Sequence, residues 1–173
     1  MSWWAPASAA AAGLGRRLLL AVGIAWASPT TLPGLLAGCV GLLLGARAYL
    51  GRRERALVFA RMPSPWRGAL TLGNVILHTG DSLEVACCTY AHRAGRADEP
   101  LIRLADHERA HVYQAMVLGP LFLPVYLLCG GVSGRNPLER AADRHAGEGR
   151  GWWPWAVRAR GGAHCRGCRG GGA

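Results

Sequence analysis

Between Arg17 and Arg47 the chain carries no charged residue. About 20 apolar residues are enough to cross the hydrocarbon core of a bilayer, so residues 18–50 read as a membrane segment, behind an N-terminal tail over 1–17. Arg16 and Arg17 bracket the stretch on one side, and Arg47, Arg52, Arg53 and Arg55 on the other. Its middle, Ser28-Pro29-Thr30-Thr31-Leu32-Pro33, is expected to break a helix. Two arrangements follow: a spanning helix from about residue 32 to 50 behind a short interfacial segment, or a hairpin that enters and leaves by one face. A cleaved leader is a third reading, because Arg16-Arg17, the run 18–24 and Ala25-Trp26-Ala27 mimic its three regions. The larger arginine cluster lies after residue 46, which places the rest of the chain on the cytoplasmic side.

Composition narrows the classes further. Of 173 residues, 51% are hydrophobic and 17% charged, against about 25% charged in ordinary soluble domains. A chain disordered over most of its length is excluded. All 20 basic residues are arginine, as GC-rich coding favours. They flank apolar runs or sit in a Gly-rich tail instead of interleaving with aromatics, so nucleic acid is not an expected partner. Of the six cysteines, Cys39 and Cys129 fall in apolar runs and Cys87 adjoins Cys88, a pattern that offers no disulfide framework.

Residues 57–60 and 70–78 read as strands joined in a hairpin through the Pro/Gly-rich link 63–68, with residues 85–90 a third strand. From residue 101 the apolar spacing turns helical. Residues 119–131, apolar and holding Pro120 and Pro124, read as a second membrane-embedded segment or a buried loop and helix. Asn136-Pro137 opens a further helix over 138–146. The fold class is therefore α+β, mostly helical and membrane-associated, with one or two apolar segments and a compact domain over 51–146. Residues 147–173, rich in Gly, Arg and Trp, read as a disordered or interfacial tail.

Chemistry concentrates at His107-Glu108-Arg109-Ala110-His111, an H-E-x-x-H pattern. Residues four apart share a helix face, so both imidazoles can address one metal ion while Glu108 reaches a water beside it. A catalytic zinc takes three protein ligands and keeps a position open. Glu139, on the later helix, supplies the third ligand, and Asp143, four residues on, can fix the tautomer of a ligand histidine. The plainer alternatives are a solvated face for the first motif and a salt-bridged helix with Arg140 and Arg144 for the second.

Together, His107-Glu-Arg-Ala-His111 and Glu139-Arg-Ala-Ala-Asp143 resemble the gluzincin zinc metallopeptidases. The likeness is to the membrane-integrated branch that includes the prenyl-protein (CAAX) endopeptidases and the bacterial heat-shock inner-membrane protease. Gln114, the run Leu118-Gly-Pro-Leu-Phe-Leu-Pro124 and Asn136-Pro137 are similar to small bacterial membrane proteins of this kind, over residues 69–145. The resemblance implies a zincin-like core of short β-hairpin, H-E-x-x-H helix and third-ligand helix. It implies zinc on His107, His111 and Glu139, with Glu108 as catalytic base, in a bacterial inner membrane. It also implies a substrate strand, for which Leu72, Asn74 and Ile76 are the candidates, and an oxyanion-stabilising residue. His145 is preferred for that role over Arg144 and Tyr126. The expected partners are membrane lipid and a peptide or membrane-protein substrate.

Three features carry less. His164-Cys165-x-x-Cys168 is half a zinc knuckle in a Gly/Arg tail, Trp152, Trp153 and Trp155 suit a headgroup layer or an unstructured tail, and His78 and His92 read as surface or turn residues. Two rival readings stay open: a membrane scaffold with a structural or vestigial metal site, and a soluble protein whose apolar segments pack in its core.

Overall fold

The computed structural model describes residues 9–65, 67–93, 95 and 101–155. Its helices are α1 (Ala9–Trp26), α2 (Ser28–Leu43), α3 (Tyr90–Arg93), α4 (Leu104–Leu118), α5 (Phe122–Leu128) and α6 (Pro137–Glu148), with a 3-10 turn at Gly119–Leu121. The strands are β1 (Arg47–Gly51), β2 (Ala56–Ala60), β3 (Ala69–Leu72), β4 (Val75–His78), β5 (Ala86–Cys87) and β6 (Ile102–Arg103). The first four form a sheet of order β1-β2-β4-β3, and β5 and β6 pair separately. The chain is thus α+β, as expected.

The apolar N-terminal stretch is two helices that meet at a bend, the geometry of a broken span or of a re-entrant loop. The chain breaks at Ala27, and Gly13–Trp26 meets Ser28–Leu43 at 67°. Pro29 causes the break: it cannot donate to the preceding turn, yet it is well tolerated in the first turn of α2. Pro33, expected to end a helix, lies inside α2. The Ala27 carbonyl collects the hydroxyls of Thr30 and Thr31, each at 2.9 Å. One continuous helical run, Leu104–Leu128, is long and apolar enough to cross a membrane by length and composition alone.

The sheet departs from the expected hairpin in two ways. β2 pairs with β4 in parallel, so the link after β2 passes over the place of β4 to reach β3 at the sheet edge, and the chain then turns back into β4. Residues 70–78, read as one strand, are themselves a hairpin, β3 against β4, turning at Gly73-Asn74. Gly73 has φ 61°, and a Cβ there would lie 2.2 Å from the Thr31 hydroxyl. That hydroxyl accepts a hydrogen bond from the Asn74 amide at 3.1 Å, which docks the turn on the start of α2. Arg47–Gly51, expected at the end of the apolar segment, is strand β1. Of residues 85–90 only Ala86 and Cys87 are extended.

Both faces of the sheet are covered, so its central strands are apolar throughout. Ala56, Val58 and Ile76 pack on Ala105 and Val112 of α4. Phe59, Val75 and Leu77 face Leu35 and Ala37 of α2. A third cluster, Ala115, Phe122 and Leu138, joins α4, α5 and α6. α2 reaches the sheet through glycines: a Cβ on Gly38 would meet the Phe59 ring at 2.3 Å, and one on Gly34 would meet Val75 at 2.9 Å. The opposite side of α2 exposes Leu32, Leu36, Val40 and Leu43.

The start of the C-terminal segment packs on the helices. α6 ends at Gly149 in the left-handed conformation, and Trp152 stacks edge-on against Tyr113 at 5.7 Å. The part of the expected tail around Trp152 thus packs on α4. His164, Cys165 and Cys168 lie outside the described residues.

Candidate metal centre

α4 presents His107 and His111 on one face, with their Nε2 atoms 3.2 Å apart. Glu139, in the first turn of α6, brings its Oε2 to 3.1 Å from His107 Nε2 and 3.3 Å from His111 Nε2. The three atoms form a nearly equilateral triangle. Ligand atoms about 2.0–2.1 Å from a tetrahedral ion lie about 3.3 Å from one another, so the triangle has the size of one face of such a site. His107, His111 and Glu139 are all buried and could hold a metal ion.

The other ring nitrogens are held from behind. His107 Nδ1 faces Asp143 Oδ1 at 3.0 Å, a close polar contact without hydrogen-bond alignment that leaves both atoms free of any other partner. Asp143 Oδ2 accepts from the Tyr90 amide at 2.9 Å. His111 Nδ1 lies 2.8 Å from Gln114 Oε1. The orientation of Gln114 is set by its other end, because Nε2 donates to the carbonyls of Leu138 (3.1 Å) and Trp152 (2.9 Å). Acceptors at both Nδ1 atoms place the ring protons there and turn the Nε2 lone pairs toward Glu139. Three acceptors then converge on one buried point, an arrangement that a cation stabilises. The side chains therefore fit a metal.

Glu139 is held as a carboxylate: burial pushes its carboxyl up, but the neighbouring His107 and His111 outweigh this and hold it well below the usual carboxylate range. Tyr126 donates its hydroxyl to the second carboxylate oxygen, Oε1. Asn136, which caps α6 by accepting from the Leu138 amide at 2.9 Å, also donates to the Tyr126 and Gly131 carbonyls. This fixes the apolar segment against the ligand helix.

The triangle opens onto a cavity of about 410 Å³ whose wall includes Glu108, Thr71, Tyr90, Tyr126 and both Cys87 and Cys88. The Glu108 carboxylate accepts a 2.6 Å hydrogen bond from the Thr71 hydroxyl. Thr71 sits on β3, which is bonded on one side to β4 and has no strand on its other side among the described residues. Burial raises the Tyr90 hydroxyl above its ordinary pKa, with Glu139 adding to the effect. It likewise pushes the Cys87 thiol up to about 11.

Of the residues singled out in the sequence, His107, His111, Glu139, Glu108 and Asp143 come together here. His145 does not line the cavity. It lies 3.4 Å from Arg109 Nη2 and packs against Tyr113. Two residues beyond Asp143 is about 200° around a helix, so the pair cannot share a face. Leu72, Asn74 and Ile76 are also parted: Leu72 ends β3, Asn74 is in the turn with its side chain donating to the Arg55 carbonyl, and Ile76 is fully buried in the interior strand β4. His78, expected at the surface, is buried on β4 and contacts the Gly68 carbonyl at 3.0 Å. Gln114 is a site residue that spacing alone offers, three positions after His111 on the same face. Thr71 and Tyr90 reach the site through tertiary pairing and leave no local signal.

Compared with known proteins, the chain matches no family model, no curated protein and no solved structure.

Proposed function

We propose that the chain is a zinc-dependent peptidase acting at a membrane surface. One observation carries the reading: three buried ligand atoms at the edge lengths of a tetrahedral site, with the Glu108 carboxylate in the wall of the same open cavity. Zinc, when bound, supplies a Lewis acid that lets water ionise near neutral pH. His107, His111 and Glu139 hold it, while Asp143 and Gln114 keep the two imidazoles in the ligating tautomer. Glu108 takes a proton from the attacking water as general base. As the water oxygen bonds to the carbonyl carbon and the C–N bond breaks, Glu108 returns that proton to the leaving amine. The Thr71 hydroxyl orients the carboxylate for this exchange. A peptide laid along the free edge of β3 would pair with it as an added strand, its carbonyls passing Glu108. This gives the substrate role expected of Leu72, Asn74 and Ile76 to residues 68–71.

The membrane part of the proposal rests on α2. In a soluble protein the large apolar residues of a helix face the core. Here glycines face the sheet, and Leu32, Leu36, Val40 and Leu43 face out. Packing through small residues with leucines outward suits a lipid environment. Leu18, Leu19 and Val22 of α1 extend the apolar surface, and no acidic residue precedes Glu54. Anionic lipid, as on the cytoplasmic face of a bacterial inner membrane, is the surface these arginines fit.

The test uses detergent-purified full-length protein. Near-stoichiometric zinc is expected in the wild type and in Glu108→Gln, with loss in Glu139→Ala. Hydrolysis of unfolded casein should fall by about 10²-fold or more in Glu108→Gln. Zinc retained alongside casein cleavage that is absent, or indifferent to Glu108, would move the protein to the scaffold class. No zinc in the wild type would end the peptidase reading and leave the scaffold one.

A further inference from the structure

We propose that the metal cavity selects peptides carrying a carboxylate beside a large apolar side chain, with Arg93 and Arg67 as the groups that recognise it. The proposal rests on the peptidase reading and names the substrate class of that site.

Two arginines line the cavity, Arg67 just before the wall strand and Arg93 at the end of α3. Both are exposed. The cavity wall also holds two carboxylates, and each is already engaged: Glu108 with Thr71, and Glu139 with His107, His111 and Tyr126. Among the described residues, Arg61, Arg103, Arg109 and Arg150 all sit in ion pairs, and Arg67 and Arg93 sit in none. Arg93 is nonetheless held in place, its Cζ 5.4 Å from the centroid of the Tyr90 ring. Stacking of this kind fixes the plane of a guanidinium and leaves its N–H fork for a carboxylate. The Tyr90 amide, in turn, is tied to Asp143, so the stacked arginine belongs to the same rigid assembly as the metal ligands.

Beside these groups, Leu70, Leu104, Phe122, Leu123 and Val132 give the cavity a large apolar wall. A cavity of this make-up rewards an apolar side chain at its centre and an anion at its rim. The anion can be an Asp or Glu side chain, or the terminal carboxylate of a short peptide. A lysine-bearing segment would meet like charge and be disfavoured. A charge-assisted hydrogen bond at this level of exposure is worth roughly threefold to tenfold in affinity.

Binding separates this proposal from the reading beneath it. The zinc-loaded Glu108→Gln protein would be titrated calorimetrically with N-acetylated peptides built on Ala, Leu and Phe. One form carries an internal Glu and an amidated end, a second is neutral with a free C-terminal carboxylate, and a third is neutral and amidated. At least one anionic form should bind about threefold to tenfold more tightly than the neutral amide. That advantage should vanish when Arg67→Gln and Arg93→Gln are combined, with neutral-peptide affinity and zinc content unchanged. Which anionic form gains identifies the source of the carboxylate. Equal affinity for all three, or an advantage that survives in the double variant, overturns the proposal and leaves the peptidase reading standing. Binding of none of them overturns both.

Discussion

His111 is held in place by a residue outside the candidate ligand set. Gln114 receives its Nδ1 side and is itself clamped by two carbonyls, one from α6 and one from the segment at Trp152. Removing such a partner typically lowers metal affinity by about 10–100-fold. Gln114→Leu should therefore weaken zinc binding in a chelator competition by that amount; unchanged affinity would mean that the ring is fixed by packing alone. His145 gives a second expectation at this scale. Burial lowers its pKa, Arg109 lowers it further, and Asp106 only partly opposes them. The unfolded chain thus binds a proton that the folded chain refuses. Its contribution to stability is present above the ordinary histidine value of about 6.5 and is lost as pH falls through the lower folded value. In the metal-free protein, the melting temperature of the wild type should drop more steeply on acidification than that of His145→Gln. Parallel acid limbs would show that His145 does not titrate in this range.

Among the elements, α2 is the most informative. Gly38 lies where any side chain would enter the Phe59 ring, so Gly38→Ala should destabilise the fold by about 1–3 kcal/mol through overpacking, despite the better helix propensity of alanine. Thermal unfolding in detergent reads this directly, and a stabilised variant would mean that α2 sits off the sheet. Much of the ligand geometry was legible beforehand because it is local: a spacing of four puts His107 with His111, and Glu139 with Asp143, on single helix faces. The same rule argues against placing His145 beside Asp143. Gly73-Asn74, between Leu72 and Val75, is a turn dipeptide that splits residues 70–78 into two strands. The parallel pairing of β2 with β4 had no such marker, since it depends on α4 covering the sheet from one side and α2 from the other. For the same reason Thr71 could not be matched to Glu108 before the layers were known.

Across the whole molecule, the apolar helices and the metal helix are one packed body. Trp26, at the end of α1, donates to the Val117 carbonyl of α4 at 3.2 Å, and a Cβ on Gly119 would lie 2.3 Å from its indole. α2 covers Phe59, Val75 and Leu77. A chain beginning at Gly45 should consequently be recovered as aggregate and bind less added zinc than the full-length protein, as size-exclusion chromatography with metal analysis would show. A monodisperse, metal-loaded truncation would refute the single-body description. For anyone preparing this protein, trimming away the apolar N-terminal helices to gain solubility is the wrong first step. What looks in the sequence like a detachable anchor is one wall of the frame that carries the His107–His111–Glu139 cluster, so effort belongs in choosing a solvent or amphiphile that spares the contact between α2 and the sheet.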